Sequence, residues 1–522
     1  MTNNKEKKEI RNGTVLSYLY LLIYNIAQII YTPILLKSLG TNMYGVYTLC
    51  ISIVNYFTLL DFGLGNAVVR FSSLYRNRSK DERNSIYGSF FAIYFVLAVI
   101  ALSIGAFISL NCNWFFSTEF TANDISMART IILILSVNIA ITLPLSVFSS
   151  IVTSYQKFIF LKILNILKTI VSTIIMILFL LLGYKAISLA LITLIVNIVY
   201  LSCIMLYAIK VLDIRLSFNL KNKEVIKDIF SFSIFALLLL VIDKINLNCD
   251  MIILGKYSTP TELTMYSISS RIFQIFLSLG GVISSMLLPK YTLLVEEKKY
   301  RELEEDFIEK SKWQYTIVIY ISFGFLIFGR SFLNIWLGSD YTYSYIITIL
   351  LMFSAAIPLA LNVANVILQA KNNQKFRTFI LLLILILNVI ISIILVKPYG
   401  AFGCAIGTAF TYIVGHVIIM TIYFKKNQKI NMRQFWLNVF SITFIHLISF
   451  SITYIIEMLI SYSIINNFLC LILYLIISSL LEYYFLLNTK EKSVIINTMN
   501  RIWRKKHETS WRKRMLWLWF LC

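Results

Sequence analysis

Six side chains between residues 243 and 271 are the ones whose type and spacing suggest chemistry: Asp243, Lys244, Asn246, Asn248, Asp250 and Arg271. They stand in long apolar surroundings. Asp243, Asn246 and Asp250 recur at i, i+3, i+7 and line one stripe of a helix, while Lys244 and Asn248, four apart, line the next stripe. Counted from the turn at Gly255 at ~1.5 Å per residue, Lys244 lies about 16 Å deep, Asp250 about 8 Å, and Arg271 of the following helix about 12 Å. A charge facing hydrocarbon costs at least ~2.5 to 3.5 kcal/mol, so such groups face protein or water. Two readings follow. Asp250 and Arg271 form a structural ion pair, with Asp243 and Lys244 neutralising neighbouring helices; or Lys244 and Arg271 line a wet cavity that attracts an anion, with the carboxylates tuning them or coupling a cation. Asp61 and Arg70 in the second apolar span, and Pro144 and Pro358 in mid-span, are the coupling or gating candidates. Arg70, Lys162, Lys168 and Lys290 are placed to snorkel to the inner interface.

The elements that position these groups are membrane helices. Of 522 residues, 59% are apolar and 14% charged, and the mean hydropathy is +0.79, outside the range of a chain with a water-facing surface. Apolar runs long enough to cross a ~30 Å slab fall at 14–36, 43–74, 85–110, 129–152, 163–182, 186–209, 229–255, 263–289, 313–336, 344–368, 377–396, 402–424, 435–458 and 466–487. The expected fold is all-α, with about fourteen spans, the second long enough to bend. With the N-terminus inside, 39 of the 47 basic residues fall on the inner side. Six fall outside: Lys37, Arg129, Lys185, Lys256, Arg330 and Lys397. That asymmetry fits an even number of spans and places both termini in the cytoplasm.

A weak duplication recurs at an offset near 215 residues. Leu39-Gly40 parallels Leu254-Gly255, Gly183-Tyr184-Lys185-Ala186 parallels Pro398-Tyr399-Gly400-Ala401, and Pro144 parallels Pro358. The expected organisation is an N-terminal segment 1–13, a six-helix lobe 14–209, an amphipathic linker 210–228, a second pseudo-symmetric six-helix lobe 229–424, a helix pair 435–487 and a basic tail 488–522. The charged connection 290–312 is expected, like the linker, to form helix lying on the inner leaflet. Gly403 and Gly407 form a small-xxx-small pair suited to helix packing.

The net charge of +22 is what basic cytoplasmic loops give, so no nucleic-acid partner is expected. Seven scattered cysteines and three distant histidines give no metal-ligand spacing. No GxxxxGK[ST], HExxH or GxSxG motif is present, so no catalytic residue and no cofactor are expected. Transport would draw on an H⁺ or Na⁺ gradient, on the membrane potential or on consumption of product.

LGTNMYGVYTLCISIVNYFTLLDFGLGNAVVRF, residues 39–71, resembles the start of the polysaccharide transporter family, the Wzx-type flippases for O-antigen and capsule repeat units. NCDMIILGKYSTPTELTMYSISSRI, residues 248–272, is similar to that family's seventh and eighth helices. The resemblance implies the superfamily shared with multidrug pumps and lipid II flippases, with two lobes about a central cavity. It implies movement of an undecaprenyl-pyrophosphate-linked oligosaccharide between leaflets of a bacterial inner membrane, for lipopolysaccharide or capsule synthesis. Lys244 and Arg271 would then be pyrophosphate ligands, and Asp61, Asp243 and Asp250 would contact sugar or couple a cation. Membrane lipids, a polysaccharide polymerase and chain-length machinery would be the partners. A cation-coupled multidrug exporter and a membrane-embedded polymerase are the competing readings.

Overall fold

The computed structural model describes residues 2–61, 63–76, 78–218, 241–242, 244–246, 248–428, 430–460, 463–489 and 491–493, with side chains from residue 16 onward. Asp243, the linker beyond residue 218, most of the seventh expected span and the tail from residue 494 lie outside the described residues.

Helix α1 (Thr2–Asn55) is two helices in one, broken at Gly40, whose φ of 75° suits a residue without a Cβ. This break falls in the gap between the first two expected spans. The second span bends as its length requires. A 3-10 turn at Tyr56–Asp61 and Gly63 at φ 69° separate α1 from α2 (Leu64–Tyr75). Helix α3 (Lys80–Leu110) is capped by Ser79, which accepts the Glu82 N–H at 3.3 Å. Helix α4 (Ala122–Ser154) opens on a capping box between Thr121 and Asp124. Helices α5 (Phe158–Leu181) and α6 (Ala186–Val211) follow, joined through Gly183 at φ 88°.

The helical residues 248–257 (α7) lead into α8 (Pro260–Gly280), the short α9 (Val282–Ser285) and α10 (Leu288–Glu296). Then come α11 (Tyr300–Trp336), α12 (Tyr343–Ala370) and α13 (Lys375–Thr411), the last broken at Gly400, φ 53°. A π-helical stretch, Tyr412–Ile419, runs on into α14 (Met420–Asn427), and α15 (Met432–Leu459) and α16 (Ile464–Phe485) complete the described chain. Residues 300–312, expected to lie on the membrane surface, instead continue into α11, because they hold no glycine or proline to stop the helix.

Among the described residues, ten helical stretches are long and apolar enough to cross a membrane. Two of them, Leu16–Tyr75 and Lys375–Asn427, run to 60 and 53 residues and contain the breaks at Gly40 and Gly400. No strand occurs among the described residues. Large apolar side chains such as Leu178, Phe440, Phe444 and Phe485 are more than half exposed, while serines and threonines such as Ser136, Thr408 and Ser449 are buried. That inversion marks a multi-pass membrane protein, whose exterior meets lipid tails.

Helix contacts rely on small residues, as they must where lipid is as apolar as leucine. Gly105 packs on Ser136, Gly415 on Ile384, Gly403 on Leu395, and a Cβ on Gly407 would lie 2.5 Å from Ser392 Oγ. Both members of the Gly403/Gly407 pair therefore serve packing.

The chain forms two compact units. The first comprises Met1–Leu279, Leu333–Pro358 and Leu368–Tyr423; the second comprises Gly280–Phe332, Leu359–Ile367 and Phe424–Cys522. In the second, Gln314 of α11 donates to the Leu359 carbonyl at 2.5 Å and accepts the Ser284 N–H at 2.9 Å, and Lys312 pairs with Glu491 at 2.8 Å.

Candidate functional site

In the first unit, α7, α8 and both parts of α13 converge on Asp250, which is 3% exposed. Its carboxylate accepts the Tyr266 hydroxyl, Thr408 Oγ1 at 2.7 Å and Ser392 Oγ at 3.2 Å. Asn388, one turn before Ser392, accepts the Ser392 hydroxyl at 3.1 Å and stands beside Thr408. The expected ion pair between Asp250 and Arg271 is not formed: hydroxyl groups take up the carboxylate, and no basic side chain among the described residues joins them. The Cys249 thiol also stands 3.8 Å from Oδ1, but the close partners are neutral oxygens. One carboxylate amid such oxygens is the donor set of a hard monovalent cation or of a proton. No group of three His, Cys, Asp or Glu side chains among the described residues could hold a metal.

Arg271 is part-exposed and lies within electrostatic reach of the hydroxyls of Tyr31 and Tyr47 on α1. No carboxylate among the described residues pairs with it or with part-exposed Lys244. Asn248 Nδ2 is turned back onto the Lys244 carbonyl at 2.9 Å, whereas the buried Oδ1 of Asn246 has no partner among the described residues. Asp61, at the bend of the second span, accepts the Tyr94 hydroxyl and faces the N–H groups of Gly63 and Gly65. Arg70 is exposed on α2. Pro144 and Pro358 lie buried inside α4 and α12, which run on without a break.

Two clusters fall outside the expected set. Lys168, expected to snorkel and counted with the inner positive charges, instead points into the first half, where Nζ donates to Asn197 Oδ1 at 2.7 Å and lies 4.5 Å from the Tyr200 ring centroid. Ten residues into α5 from Phe158, it sits roughly 15 Å along the helix, too deep for its stem to reach the interface. Asn197 in turn donates to Asn138 Oδ1 at 2.8 Å and Thr142 Oγ1 at 2.7 Å. In the second unit, fully buried His446 bonds Tyr474 at 2.7 Å and Glu482 at 3.1 Å, and Tyr320 donates to the same carboxylate at 3.2 Å. Glu482 lies inside an apolar span, so the criterion that singles out Asp250 selects it too.

The two sequence halves meet within the first unit, on the side the charge asymmetry assigns to the exterior. Thr264 Oγ1 donates to the Thr41 carbonyl at 2.7 Å, and the Thr41 and Tyr341 hydroxyls lie 3.1 Å apart. Ser117 donates from N to Gly255 O at 2.9 Å and from Oγ to Ser258 O at 2.7 Å. Trp336 gives its indole N–H to the Ile29 carbonyl at 2.7 Å. Gly45 admits the approach, since a Cβ there would lie 2.7 Å from Pro260 O.

A family model described as polysaccharide biosynthesis protein matches residues 34–346. The chain belongs to that family. The probable low-salt glycan biosynthesis flippase of Haloferax volcanii is 22% identical over 169 residues, which take in 32% of this chain and 36% of that relative. The match thus spans about a third of the relative's length. Among solved structures, the family member is similar to the lipid II flippase MurJ in its inward closed conformation: TM-score 0.71 and 15% identity, over 90% of this chain and 98% of that one. An inward-facing multidrug resistance MATE transporter of the MOP superfamily gives a TM-score of 0.59 at 14% identity, over 78% and 96% of the two chains. The fold is therefore one shared with both of these structures.

Proposed function

We propose that the protein is a flippase that carries an undecaprenyl-pyrophosphate-linked oligosaccharide from the inner to the outer leaflet of a bacterial cytoplasmic membrane, for O-antigen, capsule or exopolysaccharide synthesis. Its two six-helix lobes alternate access to a central site, with both termini in the cytoplasm. The observation that carries the reading is Arg271, a guanidinium within an expected membrane span, set against tyrosines of the first half and paired with no carboxylate among the described residues. A cation left without a counter-charge at that depth suits an anionic passenger, and Lys244 adds to the same field. The bonds that join the halves through Thr41, Ser117 and Trp336 support a state closed toward the exterior.

Asp250 is the coupling residue in this scheme. Its hydroxyl cage suits Na⁺ or H⁺, and occupancy would bias how α7 packs on α13. The test is replacement of Arg271 or Lys244 by alanine in cells that make the polymer. Surface polysaccharide should be lost while the protein stays in the membrane, and purified wild type in vesicles should move a lipid-linked oligosaccharide.

The second reading is a cation-coupled drug exporter. It draws on Asp61 and Asp250, carboxylates that accept from hydroxyl, thiol and backbone groups, and on the fold shared with MATE transporters. Increased resistance to cationic dyes on expression would favour it over the flippase.

A further inference from the structure

We infer that the interior of the first half holds a second anion site, centred on Lys168 and separate from Lys244 and Arg271, which takes the phosphate of a phosphorylated lipid. This inference rests on the flippase reading for the identity of that lipid.

The lipid-facing side of α5 is marked by Ile163, Leu167, Ile170, Val171, Ile174 and Leu178, all well exposed. At 100° per residue, Lys168, Asn165 and Thr169 lie on the other side of the helix. These three, with Asn138 and Thr142 of α4 and Tyr200 of α6, are part-exposed although they face away from lipid, whereas Asn197 is buried. Polar groups that are accessible yet turned inward line an internal space. Tyr20 of α1 closes the ring beside Thr169 and Tyr200.

Lys168 is the charged member of this ring. No carboxylate among the described residues pairs with it. The ammonium has three N–H donors. One is bonded to Asn197 Oδ1 and another side of the group faces the Tyr200 ring, so donor capacity remains for a ligand. Its neighbours add carboxamide and hydroxyl groups, which donate to phosphate oxygens as readily as to each other. Asn197 is itself fixed by Asn138 and Thr142, which holds the ammonium in place before any ligand arrives. An uncompensated intramembrane cation with neutral donors around it is a site for an anion.

Two substitutions separate this role from a structural one. Lys168→Gln removes the charge and keeps a donor for Asn197; Asn197→Asp supplies a carboxylate 2.7 Å from Nζ, a built-in competitor for the ligand. The experiment measures binding of undecaprenyl diphosphate, inorganic pyrophosphate and phosphatidylglycerol to the purified full-length chain in nanodiscs, with a thermal melt of each variant to verify folding. Wild type and Lys168→Arg should bind the polyprenyl diphosphate alike, and both other variants should bind it at least roughly tenfold more weakly, as loss of one charge-assisted contact gives. Lys168-dependent binding of phosphatidylglycerol but not of the polyprenyl diphosphate would support the site, assign it to bulk lipid, and count against the flippase reading instead. Folded Lys168→Gln and Asn197→Asp proteins that bind every probe like wild type would overturn the site and leave the flippase reading standing, as would a wild type that binds none of the three while still moving lipid-linked oligosaccharide in vesicles.

Discussion

Thr264 Oγ1 donates to the carbonyl of Thr41 at 2.7 Å, so the first turn of α8 is bonded to the residue directly after the Gly40 break. A hydroxyl on one sequence half thus reaches the backbone of the other beside its chain break. With Tyr341 on the same threonine, this is a contact that must be lost if the exterior end opens.

Joining that contact covalently should stop the cycle. In a cysteine-free background, Thr41→Cys with Tyr341→Cys, bridged by a short thiol reagent, should abolish surface polysaccharide and recover it on reduction. Continued export by a fully cross-linked protein would mean that this end does not open.

Asp250→Asn should keep the fold, because Tyr266, Thr408 and Ser392 can each reverse a hydroxyl to accept from the new amide. The stability cost is expected to be small, ~1 kcal/mol. Transport in vesicles should lose its dependence on the Na⁺ or H⁺ gradient. Retention of full gradient dependence would move the coupling step elsewhere.

Breaking the His446 network should act on stability first. His446→Ala leaves Glu482 and Tyr474 buried without their shared partner, at a cost of roughly 3 kcal/mol. The midpoint of a detergent melt should fall clearly, and His446→Gln, which can still bond one of the two, should fall less. An unchanged midpoint for the alanine variant would show the network to be dispensable.

Gly88 lies against the Ser217 carbonyl, and Ser217 N–H donates to Asn84 O at 3.0 Å, so the start of the segment between the halves is strapped to α3. Backbone cannot yield to a new methyl group as a side chain can. Gly88→Ala should therefore displace residues 213–218 at ~1 to 3 kcal/mol and speed tryptic cleavage at exposed Arg215.

The same strap carries a pH signature. Lys80, 2.7 Å from Asp213, holds that carboxyl below its ordinary value of 3.8. A depressed folded value means that the pairing contributes fully above about pH 4 and fades only as pH falls through the lower folded value. Cleavage at Arg215 by a protease active in acid should be flat from neutral pH to about 5 and rise only below 4, modestly, because the pair is exposed.

What could be read from the chain was whatever depends on local order. Breaks at Gly40 and Gly400, the bend after Asp61 and the packing role of Gly403 and Gly407 follow from residue type and run length. That Asp250 turns toward protein was legible too; its partners were not, since Ser392 and Thr408 lie 142 and 158 residues away and look like ordinary helix hydroxyls. Lys168 misled for a related reason: distance from a loop suggests where a lysine can reach, but Asn197, on the next helix, decides where it goes.

Between Thr411 and Met420 the chain is wound wider than an α-helix, one turn beyond Thr408 of the Asp250 cage. Such a stretch holds more residues per turn, so rewinding it as α-helix would both lengthen the rod and rotate whatever follows Ile419 about its axis. The polypeptide leaving the cage is thereby a screw thread: a small change of pitch there becomes rotation and advance further along, with no glycine or proline hinge required.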